Sequence, residues 1–233
     1  MFLNLLATQP TINLVQKVAD AGADAVLVYN PGYFKEKMDF NACYRHFESI
    51  AAQSPVPVVL FNLLGHSQQD IPIDVVTALA ANPKIAGILE TGNDLARTCI
   101  ICKETEQYSS RSGNPFHVVT LKASTYLPAL SIGVSGVIST LANVLPFEVC
   151  QIGRLLKHGK WEEAQQLQWR LAGPCEAVTT TYGVPGLKAA LREFLDIDTG
   201  SVRSPLRNLN EEEVKNLKNI FHHSGFFLDG KAK

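Results

Sequence analysis

Residues 84–94 read Lys-Ile-Ala-Gly-Ile-Leu-Glu-Thr-Gly-Asn-Asp. Ile85 to Leu89 form a short apolar run, and Thr91-Gly92-Asn93 supplies turn chemistry directly after it. Such a run, without polar alternation, predicts a strand buried on both faces that ends in a loop. A helix over Asp94 to Thr105 is expected to follow.

The same alternation extends outward in both directions. Upstream, Ala25 to Tyr29 and Val56 to Phe61 read as strands, with Pro57 near a strand start, where a missing N–H is tolerated. Between them lie helices. Thr8 is read as the cap of the first, Pro10 falls in its first turn, Ile12, Val15 and Val18 share one face, and Gly22 ends it. Further helices cover about Asn41 to Ala52 and Val75 to Ala81, the latter stopped by Asn82-Pro83. Downstream, Phe116 to Leu121 and Gly136 to Ser139 are strands, and a helix begins near Asn143, a good cap, and stops at Gly159. Strands spaced between helices predict βα units and a parallel sheet. Five strands are read with confidence in the pattern, and Phe2 to Leu6 offers a sixth. A closed parallel barrel needs eight, so the deficit falls at the front. Beyond Gly159 the chain changes character: Trp161 to Thr181, Pro185 to Phe194 and Asn210 to Phe221 predict three helices with no strand among them.

The 233 residues, 46% of them hydrophobic, suffice for one large α/β core. A net charge of −1 gives no general pull toward nucleic acid or anionic lipid. No apolar run approaches a membrane span, and the short apolar start lacks the basic flank of a signal peptide. Five cysteines at scattered spacing suggest reduced thiols and a cytoplasmic protein, or a mitochondrial one should the N-terminus be incomplete. Cys99-Ile-Ile-Cys102 is half of a zinc or redox motif, yet with no second pair it reads as a buried helix face. His222-His223 has no acidic or thiol companion, so no metal is expected.

Several stretches together resemble the dihydrodipicolinate synthase and N-acetylneuraminate lyase family, within it chiefly 4-hydroxy-2-oxoglutarate aldolase and the fungal 2-keto-3-deoxy sugar acid aldolases. They are Gly22-Ala23-Asp24-Ala25-Val26-Leu27-Val28, Pro31-Gly32-Tyr33-Phe34, Pro55-Val56-Pro57-Val58-Val59-Leu60, Leu130-Ser131-Ile132-Gly133, Gly136-Val137-Ile138-Ser139, Leu141-Ala142-Asn143-Val144, Trp161-Glu162-Glu163-Ala164-Gln165 and Gly183-Val184-Pro185-Gly186-Leu187-Lys188. The resemblance implies an incomplete (β/α)8 TIM-type barrel over residues 1–158, its first strands missing, and a three-helix C-terminal extension over 159–233 packed on it. It also implies a dimer or tetramer acting on a 2-oxo acid held as a Schiff base, without metal or organic cofactor. An unclosed parallel sheet leaves edge backbone groups unpaired, so the expected partner is a second copy or a full-length relative.

Carried over residue by residue, the resemblance meets conflicts. The imine-forming lysine aligns with Leu89, and an alkyl group forms no imine. The proton-relaying tyrosine aligns with Phe61, which keeps the ring and lacks the hydroxyl. A small residue lining the pocket aligns with Leu121, and a substrate-binding arginine position falls at His66. The family's carboxylate-binding glycine–threonine loop belongs to an early strand not read here. Retained are Tyr33, a catalytic candidate that in the family comes near the subunit interface, and Ile138, whose backbone there faces the substrate; packing alone would also keep both. All three losses remove polar function or free volume, which a scaffold released from catalysis tolerates, because filling a polar pocket with apolar side chains stabilises it.

The expectation is therefore a degenerate member unable to run the carbon–carbon lyase reaction, acting as an interaction subunit. The alternative is an active 2-oxo acid aldolase with a relocated lysine. Lys122, after Leu121 at a strand exit, is the candidate; Lys84 stands at the wrong end of its strand and Lys188 lies in the helical tail. A late start codon or lost exons would explain missing strands but not Leu89 or Phe61.

Overall fold

The structure is a computed structural model that describes residues 2–3, 7–32, 35–62, 70–110 and 113–227. The chain divides into two compact units, residues 1–120 with 132–135, and residues 121–131 with 136–233.

The first unit is the parallel α/β part. Its strands are β1 (Phe2–Leu3), β2 (Val26–Tyr29), β3 (Val58–Asn62), β4 (Ile85–Glu90) and β5 (His117–Thr120), paired in chain order and all parallel. Its helices are α1 (Thr8–Asp20), α2 (Phe40–Gln53), α3 (Ile73–Ala80) and α4 (Leu95–Ser109). The predicted order of strands and helices is observed, with most ends shifted by one to four residues. Val26, Val28, Val58, Leu60 and Ile88 alternate onto the face that is buried without exception. Phe47, Ile50, Val75, Val76 and Leu79 are among the buried helical residues of the same unit.

Gly87 lies within the stretch 84–94 for a steric reason. A Cβ there would collide with the backbone of His117, its register partner on β5. The chain passes too close for a side chain.

The cap of the first helix differs from the sequence reading. Thr8 is the first helical residue, not the cap; the cap position is Ala7, and the Thr8 hydroxyl lies 2.9 Å from His46 Nδ1 on α2. Asp94 does cap α4, accepting from the Arg97 N–H at 2.9 Å.

The second unit is helical apart from the short strand β6 (Gly136–Val137). It contains α5 (Tyr126–Ser131), α6 (Pro146–Lys157), α7 (Trp161–Glu176), α8 (Gly183–Leu195) and α9 (Glu211–His223). The five-residue segment Ala177–Thr181 between α7 and α8 is a π-helix. Asn143 does not cap α6: it closes a 3-10 turn over Thr140–Asn143, its side chain donates to the Thr140 carbonyl, and Pro146 begins the helix behind Leu145. Pro fits there because a first-turn N–H has no partner to lose. The helix α5 was not foreseen, since six residues with an internal proline carry little periodic signal. Asn210 caps the last helix, where it and Glu213 form a reciprocal box. Leu141, Ile152, Leu171, Leu217 and Phe221 lie in this unit's buried core. Among the described residues no helix is long and apolar enough to cross a membrane.

His46 makes the first unit sensitive to acid. It is 4% exposed, and burial lowers its pKa from 6.5 to about 4. Above pH 6.5 both folded and unfolded chains keep the ring neutral. Below it the unfolded chain takes up a proton that the folded one refuses, so stability falls as pH drops toward 4. The loss is about 3 kcal/mol over that window. Urea unfolding at a series of pH values is expected to show it, and His46→Gln to flatten that limb of the profile.

Candidate active site

The C-terminal ends of β3 and β4 carry the residues at issue. Parallel pairing places Phe61 beside Leu89 and Asn62 beside Glu90. Because successive side chains of a strand point to opposite faces, the four sort into two layers.

One layer is apolar. Tyr29, Phe61, Leu89 and Val119 are register neighbours across β2 to β5. Leu89 is fully buried and Phe61 is 2% exposed. The Tyr29 and Phe61 rings lie 4.5 Å apart at 35°. Tyr29 brings the single hydroxyl to this row, and burial raises its pKa. Sequence reasoning had passed over Tyr29 inside an apolar run. Counting alternate positions back from the strand end would have placed it on the same face as its neighbour's Phe61.

The other layer is polar and was also missed. Asn62 and Glu90 are both buried. The Asn62 amide donates to Asp70 Oδ1 at 2.8 Å and to Glu90 Oε2 at 2.9 Å, and its carbonyl accepts from the Ile71 N–H at 3.0 Å. Arg97 of α4 reaches Glu90 Oε1 at 3.2 Å and the Ile71 carbonyl at 2.6 Å. This set ties two strand ends, the segment before α3 and the first turn of α4 together. Burial raises the Glu90 pKa, against the pull of Arg97 and Asn62, and Asp70 adds to the rise. The network stands on the opposite face of the sheet from Leu89, so it holds the backbone there and does not line the apolar row.

The remaining candidates lie elsewhere. Tyr33 and His66 fall outside the described residues. Leu121 and Lys122 follow β5 and belong to the second unit. Leu121 is half-buried. Lys122 leads into a 3-10 turn, Ala123–Thr125, and its Nζ lies 3.3 Å from Glu176 Oε1. Ser124 Oγ donates to the same oxygen at 3.0 Å, and Thr180 Oγ1 to Oε2 at 2.8 Å. Burial raises the Glu176 pKa, but these hydroxyls and Lys122 outweigh it and lower it on balance. Gln168, buried on α7, accepts from the Leu127 N–H and donates to the Ala123 and Ser124 carbonyls, which pins the turn after Lys122. Ile138 is not the buried strand residue expected: β6 ends at Val137, and Ile138 is 48% exposed. Lys84 donates to the Ala52 and Ser54 carbonyls, and Lys188 to those of Thr199 and Ser201. Among the described residues no three His, Cys, Asp or Glu side chains group as a metal site.

The buried network yields a test of the strand ends. Arg97→Met leaves the Glu90 carboxylate buried without its cation, and a loss of about 3–5 kcal/mol is expected. The deficit shrinks on acidification, because Glu90 takes up its proton more readily in the folded chain and a neutral carboxyl needs no cation. Equilibrium unfolding of Arg97→Met, and of Arg97→Met with Glu90→Gln, measures this; the second substitution is expected to restore part of the loss.

Comparison with known proteins places this geometry. The sequence profile described as the dihydrodipicolinate synthetase family matches residues 6–224. The 4-hydroxy-tetrahydrodipicolinate synthase of Methanoculleus marisnigri is 32% identical over 219 residues, which are 94% of this chain and 72% of that protein. The enzyme of the same name from Oceanobacillus iheyensis is 27% identical over 220 residues, 93% of this chain and 71% of that one. Among solved structures, dihydrodipicolinate synthase DapA-2 from Bacillus anthracis is 29% identical with a TM-score of 0.83, covering 93% of this chain and 71% of that one. The 4-hydroxy-tetrahydrodipicolinate synthase of Methylacidiphilum fumariolicum SolV is 28% identical with a TM-score of 0.80, covering 94% and 70%. The parallel strands, their helices and the match along nearly the whole chain thus have one explanation: the chain belongs to the dihydrodipicolinate synthetase family.

Proposed function

We propose that this chain is a member of its family that no longer runs the Schiff-base carbon–carbon lyase reaction and acts as a non-catalytic, associating subunit. The observation that carries the reading is the apolar pair Phe61 and Leu89, side by side and buried at the ends of β3 and β4. The family resemblance assigns these two positions to the proton-relaying tyrosine and the imine-forming lysine. A leucine offers no nitrogen to a carbonyl carbon, and a phenylalanine offers no proton. An amine at the fully buried position 89 would also need desolvation that the leucine avoids. Without the amine, a 2-oxo acid would bind non-covalently if it binds at all.

The alternative, a lyase working through Lys122, is weakened by the ion pair with Glu176. The Lys122 Nζ lies 3.3 Å from Glu176 Oε1, so the amine is engaged with a carboxylate of its own unit.

Borohydride trapping in the presence of pyruvate, read by intact mass, tests both readings. No adduct is expected, while an active 4-hydroxy-tetrahydrodipicolinate synthase treated in parallel is trapped. An adduct would overturn the proposal, and its loss in Lys122→Ala would transfer the chemistry to that residue.

Association is supported by large rings left open in the second unit. Trp169 is 68% exposed, Phe147 64% and Trp161 45%. Trp161 and Trp169 are about two turns apart on α7 and Phe147 lies on α6, so one unit presents three large rings that a partner surface could bury. Light scattering is expected to give a mass above that of one chain, and a monomer across the usable concentration range would remove the associating half of the proposal.

A further inference from the structure

We propose that Cys99 and Cys102 on α4 form a dithiol site that captures monosubstituted trivalent arsenicals and similar thiophilic groups. The sequence reading takes this pair as a buried helix face. The structure differs: Cys99 is exposed and Cys102 is half-buried, while Ile101 between them is fully buried. Residues three apart on a helix project about 60° from one another around its axis. The two thiols therefore share one flank of α4, at the border between its buried face and solvent.

The residue that packs against the inner thiol is a glycine. A Cβ at position 133 would stand 3.4 Å from Cys102 Cβ and 3.8 Å from its sulfur. With no side chain there, Cys102 keeps its partial exposure.

Spacing decides what kind of ligand fits. On a helix, side chains three apart hold their Cβ atoms about 5–6 Å from each other. A disulfide needs them at about 3.5–4.5 Å, so direct S–S bonding would require the helix to distort. α4 resists distortion at this point, because Thr98, Ile101 and Thr105 anchor it from the buried side and both threonines donate back to the carbonyl four residues earlier. A single atom bridging the two sulfurs spans the gap without moving the backbone.

Protonation decides which bridging atom. Burial, with the Cys99 thiol as the next cause, pushes Cys102 up to about 11. At neutral pH the inner group is a thiol, which disfavours cations that require two thiolates, and the described residues supply no further ligands for zinc. An arsonous group suits neutral thiols. In R–As(OH)2 + 2 RSH → R–As(SR)2 + 2 H2O, two As–S bonds form and two As–O bonds break. Each thiol proton leaves on a hydroxyl as water, and arsenic stays trivalent.

The remaining cysteines do not provide a second such pair at helical spacing: Cys43 and Cys175 are buried, and Cys150 is exposed on α6. The probe is phenylarsine oxide added to the full chain, read by native and intact mass spectrometry. One phenylarsenic per chain is expected, retained in excess glutathione and stripped by 2,3-dimercaptopropanol, since only a chelating dithiol competes with two sulfurs. Cys99→Ser, at an exposed position that leaves packing intact, is expected to lose the glutathione-resistant adduct, as is Cys102→Ser. Cys150→Ser is expected to keep it. A resistant adduct that survives Cys99→Ser, one that disappears in Cys150→Ser, or none in the unsubstituted protein would each overturn the proposal.

Discussion

Parallel pairing of β3 with β4, in the register that sets Phe61 against Leu89 and Asn62 against Glu90, is the constraint from which the rest of the site follows. A strand's period of two lets one residue step separate two environments. Leu89 and Phe61 fall on one face and Glu90 and Asn62 on the other. A shift of one residue would drive a carboxylate into the apolar row and a leucine into the polar network, so both layers enforce the same register. The constraint is local, yet it fixes where a reactive amine would have to stand.

The two layers contribute differently. The apolar row excludes water and holds rings and branched chains in contact, and it carries no buried charge that needs a partner. The polar layer gains little net stability from its ion pair, because desolvation offsets much of the attraction, but it is costly to break from one side only. Its value lies in geometry. Glu90, Asn62 and Arg97 fasten the backbone at Ile71 and so hold the chain as it leaves the strand ends. The polar layer thus holds the backbone around the strand ends, while the row on the other face is filled by apolar packing. Tyr29, whose hydroxyl sits in this row, has Phe61 as its register neighbour on β3, with Leu89 and Val119 beyond it.

The second unit supplies a contrasting polar cluster. Glu176 gathers Lys122, Ser124 and Thr180 where α7 passes into a π-helix. The wider turn of that segment is matched by the close approach of Gly186, whose missing Cβ would press on Tyr182 and the Ala177 carbonyl. The Gly183-Val184-Pro185-Gly186 stretch quoted for its family likeness is therefore also a packing requirement. The lysine in this cluster is paired with a glutamate fifty-four residues away in the chain.

The amino-acid sequence by itself determined the alternation of strands and helices, the parallel class of the sheet, the change to helices after Gly159 and the family. These depend on local period, turn residues and capping, which are written in consecutive positions. It also revealed that leucine and phenylalanine occupy Leu89 and Phe61. Only the tertiary structure decided that these two touch the same row as Tyr29, that Glu90 finds Arg97 and Asn62 behind it, that Lys122 meets Glu176, that Thr8 serves His46 instead of its own helix, and that Cys99 faces solvent. Each of those outcomes joins residues far apart in the chain or depends on which helical face is covered. Such partnerships arise from register and burial, which no single segment encodes.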